Sequence, residues 1–332
     1  MLDTIKKSYL NINAIQKIVN KDLIEVNNII INEIGTEVPL INDLSKHILA
    51  SGGKRIRPII TLLTSSLCNY KGKNHLALAA CVEFIHTATL LHDDVIDESK
   101  MRRGVATAND IFGNKTSVLV GDFLFSRAFE LMVANSPIKV LEILSKASTT
   151  IAQGEVLQLS TINDCSTSKD MYMKIIKNKT ASLFSAASEI SAVLSKKEVQ
   201  IQRALKKYGE KLGIAFQLVD DALDYTGTKT LGKKVGDDFK EGKMTLPAII
   251  SISQSNDKEK IFWKKAIENL DQSDSDFNKA IELINKYNGI ETTIDMAKEY
   301  CIEAIQSLDI FPRSQTKLAL ESLAYIAINR QK

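Results

Sequence analysis

Punctuation is scarce in this chain. Its 332 residues include five prolines (Pro39, Pro58, Pro137, Pro247 and Pro312) and 15 glycines, so few points force a helix to stop, and long uninterrupted helices are the expectation. Cysteine is scarce too. Cys68, Cys81, Cys165 and Cys301 are scattered with no CxxC pair, which argues against a disulfide framework or a zinc site and for reduced thiols in a cytoplasmic protein. No sign of charge dominates: 43 Lys and Arg stand against 40 Asp and Glu, a net +3, too balanced for a nucleic-acid surface. The longest apolar run, "LALAACVEFIHTATLL" at 76–91, is shorter than a bilayer requires and contains Glu83 and His86, so it reads as a buried core helix and no transmembrane segment is expected. The first residues mix Ile5 and Leu10 with Lys6 and Lys7 and lack the apolar core of a signal peptide. There is no GxxxxGK[ST] and no GxGxxG, which removes the nucleotide sites built on those loops.

What is present is ordinary soluble composition, 44% hydrophobic and 25% charged, arranged with helical periodicity. Apolar residues recur at three and four from Ile12 to Ile30, predicting one or two amphipathic helices. Further helices are expected over 40–50, 59–68, 76–97, 138–159, 168–194, 197–224, 246–252, 279–307 (broken near Gly289) and 314–330. The stretch 118–133, "VLVGDFLFSRAFELMV", is apolar nearly all round and predicts a central helix. Residues 253–277 are the most polar and predict a surface helix between loops. With no β-alternation and no domain boundary in sight, the expectation is one all-α helical bundle, a single domain over 1–332.

The chemistry begins at "LLHDDVIDESKMRRG", residues 90–104. Asp93, Asp94 and Asp97 share one side of a helix and repel one another unless a cation intervenes. The pattern returns in "LVDDALDYTG" as Asp220, Asp221 and Asp224. Either cluster alone fits a solvated acidic face; two copies embedded in apolar helices favour a metal cage. Six oxygen donors of this kind suit a hard cation such as Mg²⁺, which keeps waters and bridges to phosphates. Bases complete the set. "GGKRIRP" places Lys54, Arg55 and Arg57 before a helix start, as a phosphate site would, though a solvated basic turn fits equally well. Arg102 and Arg103 follow the first cluster, Lys179 sits in "KNKT", and "GKKVGDDFKEGKMTLP" adds Lys233, Lys234 and Lys243. Leu90, Leu91, Phe84, Phe123, Phe125, Phe129 and Phe216 wall the acids with apolar surface. The composite points to a divalent metal and a lipid-like diphosphate.

These stretches, with "FQLVDDALDY", occur in an order and spacing that resemble trans-type polyprenyl diphosphate synthases, closest to long-chain, octaprenyl-like members that make quinone side chains. The resemblance runs from about Lys54 to Pro247. It implies an isoprenoid-synthase bundle around a central cavity, working as a homodimer with Mg²⁺ on isopentenyl diphosphate and an allylic diphosphate primer. Carried onto this chain, it implies Mg²⁺ on Asp93, Asp94, Asp97, Asp220, Asp221 and Asp224. Arg102, Lys179 and Lys233 would grip the allylic diphosphate, and Lys54, Arg57, His86 and Arg103 the isopentenyl diphosphate. Thr180 and Gln217 would face the developing carbocation, and Lys243 would close the pocket.

Product length is read from the turn before Asp93, where Ala88 and Thr89 are small. Short-chain members tend to carry aromatics there. From Asp93 back to Ala77 is ~24 Å of helix, room for a product of about six to ten isoprene units at this rise. Phe84, Phe123, Phe129 and Met132 are candidates for the floor, though each also fits ordinary core. Rival readings are a di-iron site at "EFIH", a phosphohydrolase built on His92 and Asp93, a shorter geranylgeranyl product, and a heteromer's catalytic subunit. The di-iron reading lacks a second Glu-x-x-His.

Overall fold

The computed structural model describes residues 9–50, 52–102, 104–226 and 236–329. Seventeen α-helices lie within them: α1 (Ile12–Ile18), α2 (Asn20–Ile34), α3 (Pro39–Ala50), α4 (Ile56–Leu67), α5 (Asn74–Ile96), α6 (Ala108–Phe112), α7 (Asn114–Asn135), α8 (Ile138–Leu159), α9 (Lys169–Ile176), α10 (Ser182–Leu194), α11 (Val199–Thr226), α12 (Asp237–Lys240), α13 (Leu246–Gln254), α14 (Asp257–Trp263), α15 (Asp274–Lys286), α16 (Gly289–Ser307) and α17 (Gln315–Ile328). Helix α5 stands in the middle, packed against α2, α4 and α7, while α10 joins α4 and α8 to α11, and α11 lies against α13, α16 and α17. The all-α expectation holds.

One apolar core gathers α1, α2, α4, α5, α7, α8, α10, α17 and the first half of α11. A second surrounds the last half of α11 with α9, α13, α15 and α16. Helix α11 belongs to both, so its C-terminal turns project from one core into the other. The two acidic segments end the two long central helices: Asp97 caps α5, and Asp220, Asp221 and Asp224 occupy the last turns of α11. A helix C-terminus is already a partial negative charge, so placing acids there raises the demand for cations.

Several expectations are corrected. The predicted helix over 168–194 is interrupted at Lys177–Ala181 by one π turn, and Lys179 and Thr180 lie in it. A two-residue antiparallel hairpin, β1 (Met101–Arg102) with β2 (Val105–Ala106), follows the first acidic run where no strand was expected. The hairpin and α6 are tied to the end of α5 by hydrogen bonds: Thr107 Oγ1 donates to the Ser99 carbonyl at 2.6 Å, and Asn109 Nδ2 to the Asp94 carbonyl at 3.1 Å. The polar stretch 253–277 hides a fully buried Trp263, because α14 continues into a second π turn, Lys264–Glu268, that turns Ala266 and Ile267 inward. Helix α7 is not central on all sides. It lies along α5, but Leu119 and Val133 are 68% and 70% exposed. Phe129 is on that outer face as well, which removes it from the candidates for a tunnel floor within one chain.

Candidate active site

The end of α5, the hairpin, the π turn and the loop before α13 meet at the first acidic cluster. Asp94 is nearly buried and accepts from Arg102 twice over, Nε at 2.9 Å and Nη2 at 2.6 Å to Oδ1, with Nε also 3.1 Å from Oδ2. This forked geometry is the strongest form of carboxylate recognition. Asp97 pairs with Lys243 at 2.8 Å, and Lys243 also reaches Glu241 at 2.7 Å. Burial works against the Lys243 charge, but Asp97 and Glu241 outweigh it and raise its pKa. Asp93 lies 3.6 Å from Lys179 Nζ.

Lys179 is the hub of this half. Its ammonium donates to Glu155 Oε2 at 2.6 Å and Gln158 Oε1 at 2.8 Å, both on α8. Burial and the neighbouring Asp93 charge push the Glu155 carboxyl up to about 7, against the pull of Lys179. Asp93 is raised too, by burial first, with Lys179 opposing. Acid is therefore crowded beyond what the local bases neutralise. The chain can approach so closely only because Gly154 has no side chain: a Cβ there would sit 2.6 Å from the Lys179 backbone nitrogen. Gly213 serves α11 in the same way, since a Cβ would meet Ala181 Cα at 2.6 Å.

The next residue of the π turn faces the other cluster. Thr180 Oγ1 donates to Gln217 Oε1 at 2.7 Å, and Gln217 Nε2 donates to Asp221 Oδ1 at 2.7 Å. The Tyr172 hydroxyl from α9 donates to Asp221 Oδ2. Burial raises the Asp221 pKa well above the carboxylate range, the Asp238 charge adds to that, and the Tyr172 and Gln217 bonds oppose it. Asp224 accepts from the Asp238 backbone N–H at 3.1 Å. Asp220 is exposed. The π turn thus places two consecutive side chains between the clusters: Lys179 meets Asp93, and Thr180 reaches Asp221 through Gln217.

A third group lies beside them. Arg57 Nη1 is 3.1 Å from His86 Nε2, and its guanidinium stacks 4.4 Å over the Phe184 ring. Lys54 is exposed in the loop before α4. Arg55, Glu83, His86, Asp94 and Arg102 line one open cleft, so His86 shares a space with Asp94 of the first acidic cluster. Below it, Ala88 is fully buried on α5 and Thr89 is half-buried, its hydroxyl donating to the His86 carbonyl at 2.8 Å. One turn further down, Phe84, Thr87, Ile30, Ile34, Ser45 and Leu124 border a second, tight space. His92 is held toward α7, 3.3 Å from the Val118 carbonyl and 3.5 Å from Asp122. Arg103, Lys233 and Lys234 lie outside the described residues.

Sequence reasoning missed Glu155, Gln158, Tyr172 and Glu241. Glu155, beside Gly154 on an otherwise apolar helix, offered a signal; Gln158, Tyr172 and Glu241 offered none. Among the described residues no three His, Cys, Asp or Glu side chains come together as a ready metal group. The donors themselves are hard carboxylate oxygens, and burial raises the pKa of Asp93, Glu155 and Asp221. That excess of acid is what a divalent cation relieves, and the donor set fits one.

Residues 38–284 match the polyprenyl synthetase family. The chain is 42% identical over 326 residues to octaprenyl diphosphate synthase of Haemophilus influenzae, covering 98% of this chain and 99% of that one. It is 43% identical to the Escherichia coli octaprenyl diphosphate synthase, over 97% of this chain and all of that one. Among solved structures, a polyprenyl synthase from Caulobacter crescentus complexed with calcium and isoprenyl diphosphate superimposes with a TM-score of 0.94 at 46% identity, covering 98% and 99% of the two chains.

Proposed function

The chain belongs to the polyprenyl synthetase family and is a prenyltransferase, a long-chain trans-polyprenyl diphosphate synthase, and from that premise we propose how its site works. Asp93, Asp94, Asp97, Asp220, Asp221 and Asp224 would hold Mg²⁺. When bound, Mg²⁺ would supply charge neutralisation for a diphosphate leaving group. Arg102 and Lys179, with Lys233, bind the allylic diphosphate, and Lys54, Arg57 and His86, with Arg103, bind isopentenyl diphosphate. The allylic C–O bond breaks and its electron pair leaves with the diphosphate. The isopentenyl double bond then forms the new C–C bond to the allylic carbon, and a proton is lost to the departed diphosphate. Thr180 Oγ1 and Gln217 Oε1 present oxygen lone pairs that stabilise the transient cation. Leu90, Leu91 and Phe216 keep water from quenching it, and Lys243 closes the pocket. The observation that carries this reading is the π turn, whose adjacent residues serve opposite clusters: Lys179 meets Asp93 directly, and Thr180 reaches Asp221 through Gln217.

The product grows past Ala88 and Thr89 along α5, toward the space beside Phe84, and serves as a quinone side chain such as that of ubiquinone. The chain acts as one domain, since α11 runs through both apolar cores. It pairs with a second copy through the outer face of α7, where Leu119, Phe129 and Val133 leave apolar surface uncovered. Of the described helices, α5 alone is long and apolar enough to cross a membrane, and it is mostly buried in the fold. Four free cysteines, three of them buried, fit a reducing cytoplasm.

The test is an incubation with Mg²⁺, farnesyl diphosphate and labelled isopentenyl diphosphate, with products resolved by length. A ladder ending at one species of about six to ten units, the reach of the α5 path, is expected. A ladder that stops at geranylgeranyl diphosphate overturns the long path. No incorporation by the purified chain overturns the one-component reading in favour of a missing subunit.

A further inference from the structure

Glu83 stands out because it is acidic in a place that should repel acid. It is buried, 7% exposed, on α5 one turn before His86. One turn along α5 stands His86, paired with Arg57, both assigned to a diphosphate. A carboxylate so placed lowers the positive potential offered to that anion, and a buried ion pair gives little stability over apolar packing. Its partner is Arg55, the residue between Lys54 and Ile56.

Arg55 has an unusual backbone. It precedes α4 with φ 50°, ψ 37°, the left-handed region that a non-glycine residue seldom adopts, and no side-chain hydrogen bond caps the helix there. Such a conformation is disfavoured and persists where surrounding contacts enforce it. Here the enforcing contact is the Arg55–Glu83 ion pair. Together with Arg57 beside His86 at 3.1 Å, it makes two rungs between the start of α4 and consecutive turns of α5. Both rungs border the cleft that holds Asp94 and Arg102.

We propose that Arg55 and Glu83 are a positioning pair: Glu83 holds Arg55 in its left-handed turn, and that turn fixes where Lys54 and Arg57 present their charges to isopentenyl diphosphate. Neither residue touches the substrate. This rests on the substrate assignment above, and the wild-type product ladder is run alongside, so that failure of the assignment shows as no wild-type incorporation and failure of the pair does not. The test is steady-state kinetics on the full chain with each substrate varied in turn, backed by calorimetric titration of isopentenyl diphosphate alone. Glu83→Gln is expected to raise KM for isopentenyl diphosphate about tenfold, while kcat and KM for farnesyl diphosphate stay within about twofold, as loss of ground-state positioning at one subsite requires. Arg55→Lys, which keeps the pair, is expected to restore most of that affinity. Tighter isopentenyl diphosphate binding in Glu83→Gln would overturn the proposal, because it would make Arg55 a direct ligand freed from its partner. An equal rise in both KM values with a lower melting temperature would also overturn it, leaving a merely structural bridge. If Glu83→Gln does not fold, Arg55→Met carries the same expectation and the same two reversals.

Discussion

Asp94 and Asp221 hold the same place in two copies of one spelling, and both are almost wholly buried, 5% and 4% exposed. Their partners differ in kind. Asp94 is met by the forked guanidinium of Arg102, a full charge delivered by the hairpin. Asp221 is met by neutral donors, the Tyr172 hydroxyl and the Gln217 amide. Dipoles oppose the cost of burying a carboxylate only in part, and the Asp221 pKa stands well above its ordinary value. One sequence pattern thus yields a buried carboxylate paired with a full charge and a buried carboxylate met by neutral donors. In the proposed reaction both clusters hold metal, and the first also brings Arg102 and Lys179 to the diphosphate.

The largest expected effect tests whether both copies are needed. Asp93→Ala and Asp220→Ala are each expected to lower isopentenyl incorporation by a factor on the order of 10³, the scale of losing one electrostatic anchor of a transition state. Circular dichroism should show the helices intact. If either variant keeps wild-type turnover, the pair of clusters is not one site.

A smaller effect separates ionic from neutral support. Arg102→Met leaves the Asp94 carboxylate buried opposite nothing charged and is expected to cost roughly 2–4 kcal/mol, below the full range for buried pairs because Arg102 is partly exposed. Tyr172→Phe removes one neutral hydrogen bond and is expected to cost about 1–2 kcal/mol. Urea unfolding without metal measures both. Equal losses would mean that the Asp94 pair is screened by solvent and that the contrast between the clusters is one of geometry alone.

What was legible in the chain followed its range. Asp93, Asp94 and Asp97 announce themselves because four residues make a helical face and the pattern is spelled twice, and α8 was bounded correctly because Pro137 precedes it. Glu155, Gln158 and Tyr172 lie 24, 21 and 49 residues from the partners they hold, and no local periodicity encodes that meeting. The π turn was invisible for a related reason. Its sequence, KNKTA, is ordinary helical composition, and the turn persists because Gly154 and Gly213 let α8 and α11 close on it. Helix α7 misled by composition: an apolar face signals burial without saying whether the same chain provides the cover.

The smallest effect asks whether partner type or burial sets the contrast. Glu259, outside the site at the start of α14, has both kinds of partner at once: Lys286 Nζ at 2.6 Å and the Tyr287 hydroxyl at 2.6 Å. It also accepts from the Asn256 backbone N–H at 3.0 Å, closing a capping box. Its pKa falls from 4.5 to about 2, through the Lys286 bond first and the Tyr287 and Asn256 bonds next, with burial ranking behind all three. A tyrosine donor therefore accompanies a lowered pKa at Glu259 and a raised one at Asp221, which assigns the difference to burial and neighbouring charge. Because the folded pKa of Glu259 is depressed, its stabilising contribution is present above about 4.5 and is lost as pH falls through about 2. Melting temperatures of wild type and Glu259→Gln should accordingly differ at neutral pH and converge across that acid window. A gap that stays constant with pH would show that the cap acts through its geometry and not through the Glu259 charge.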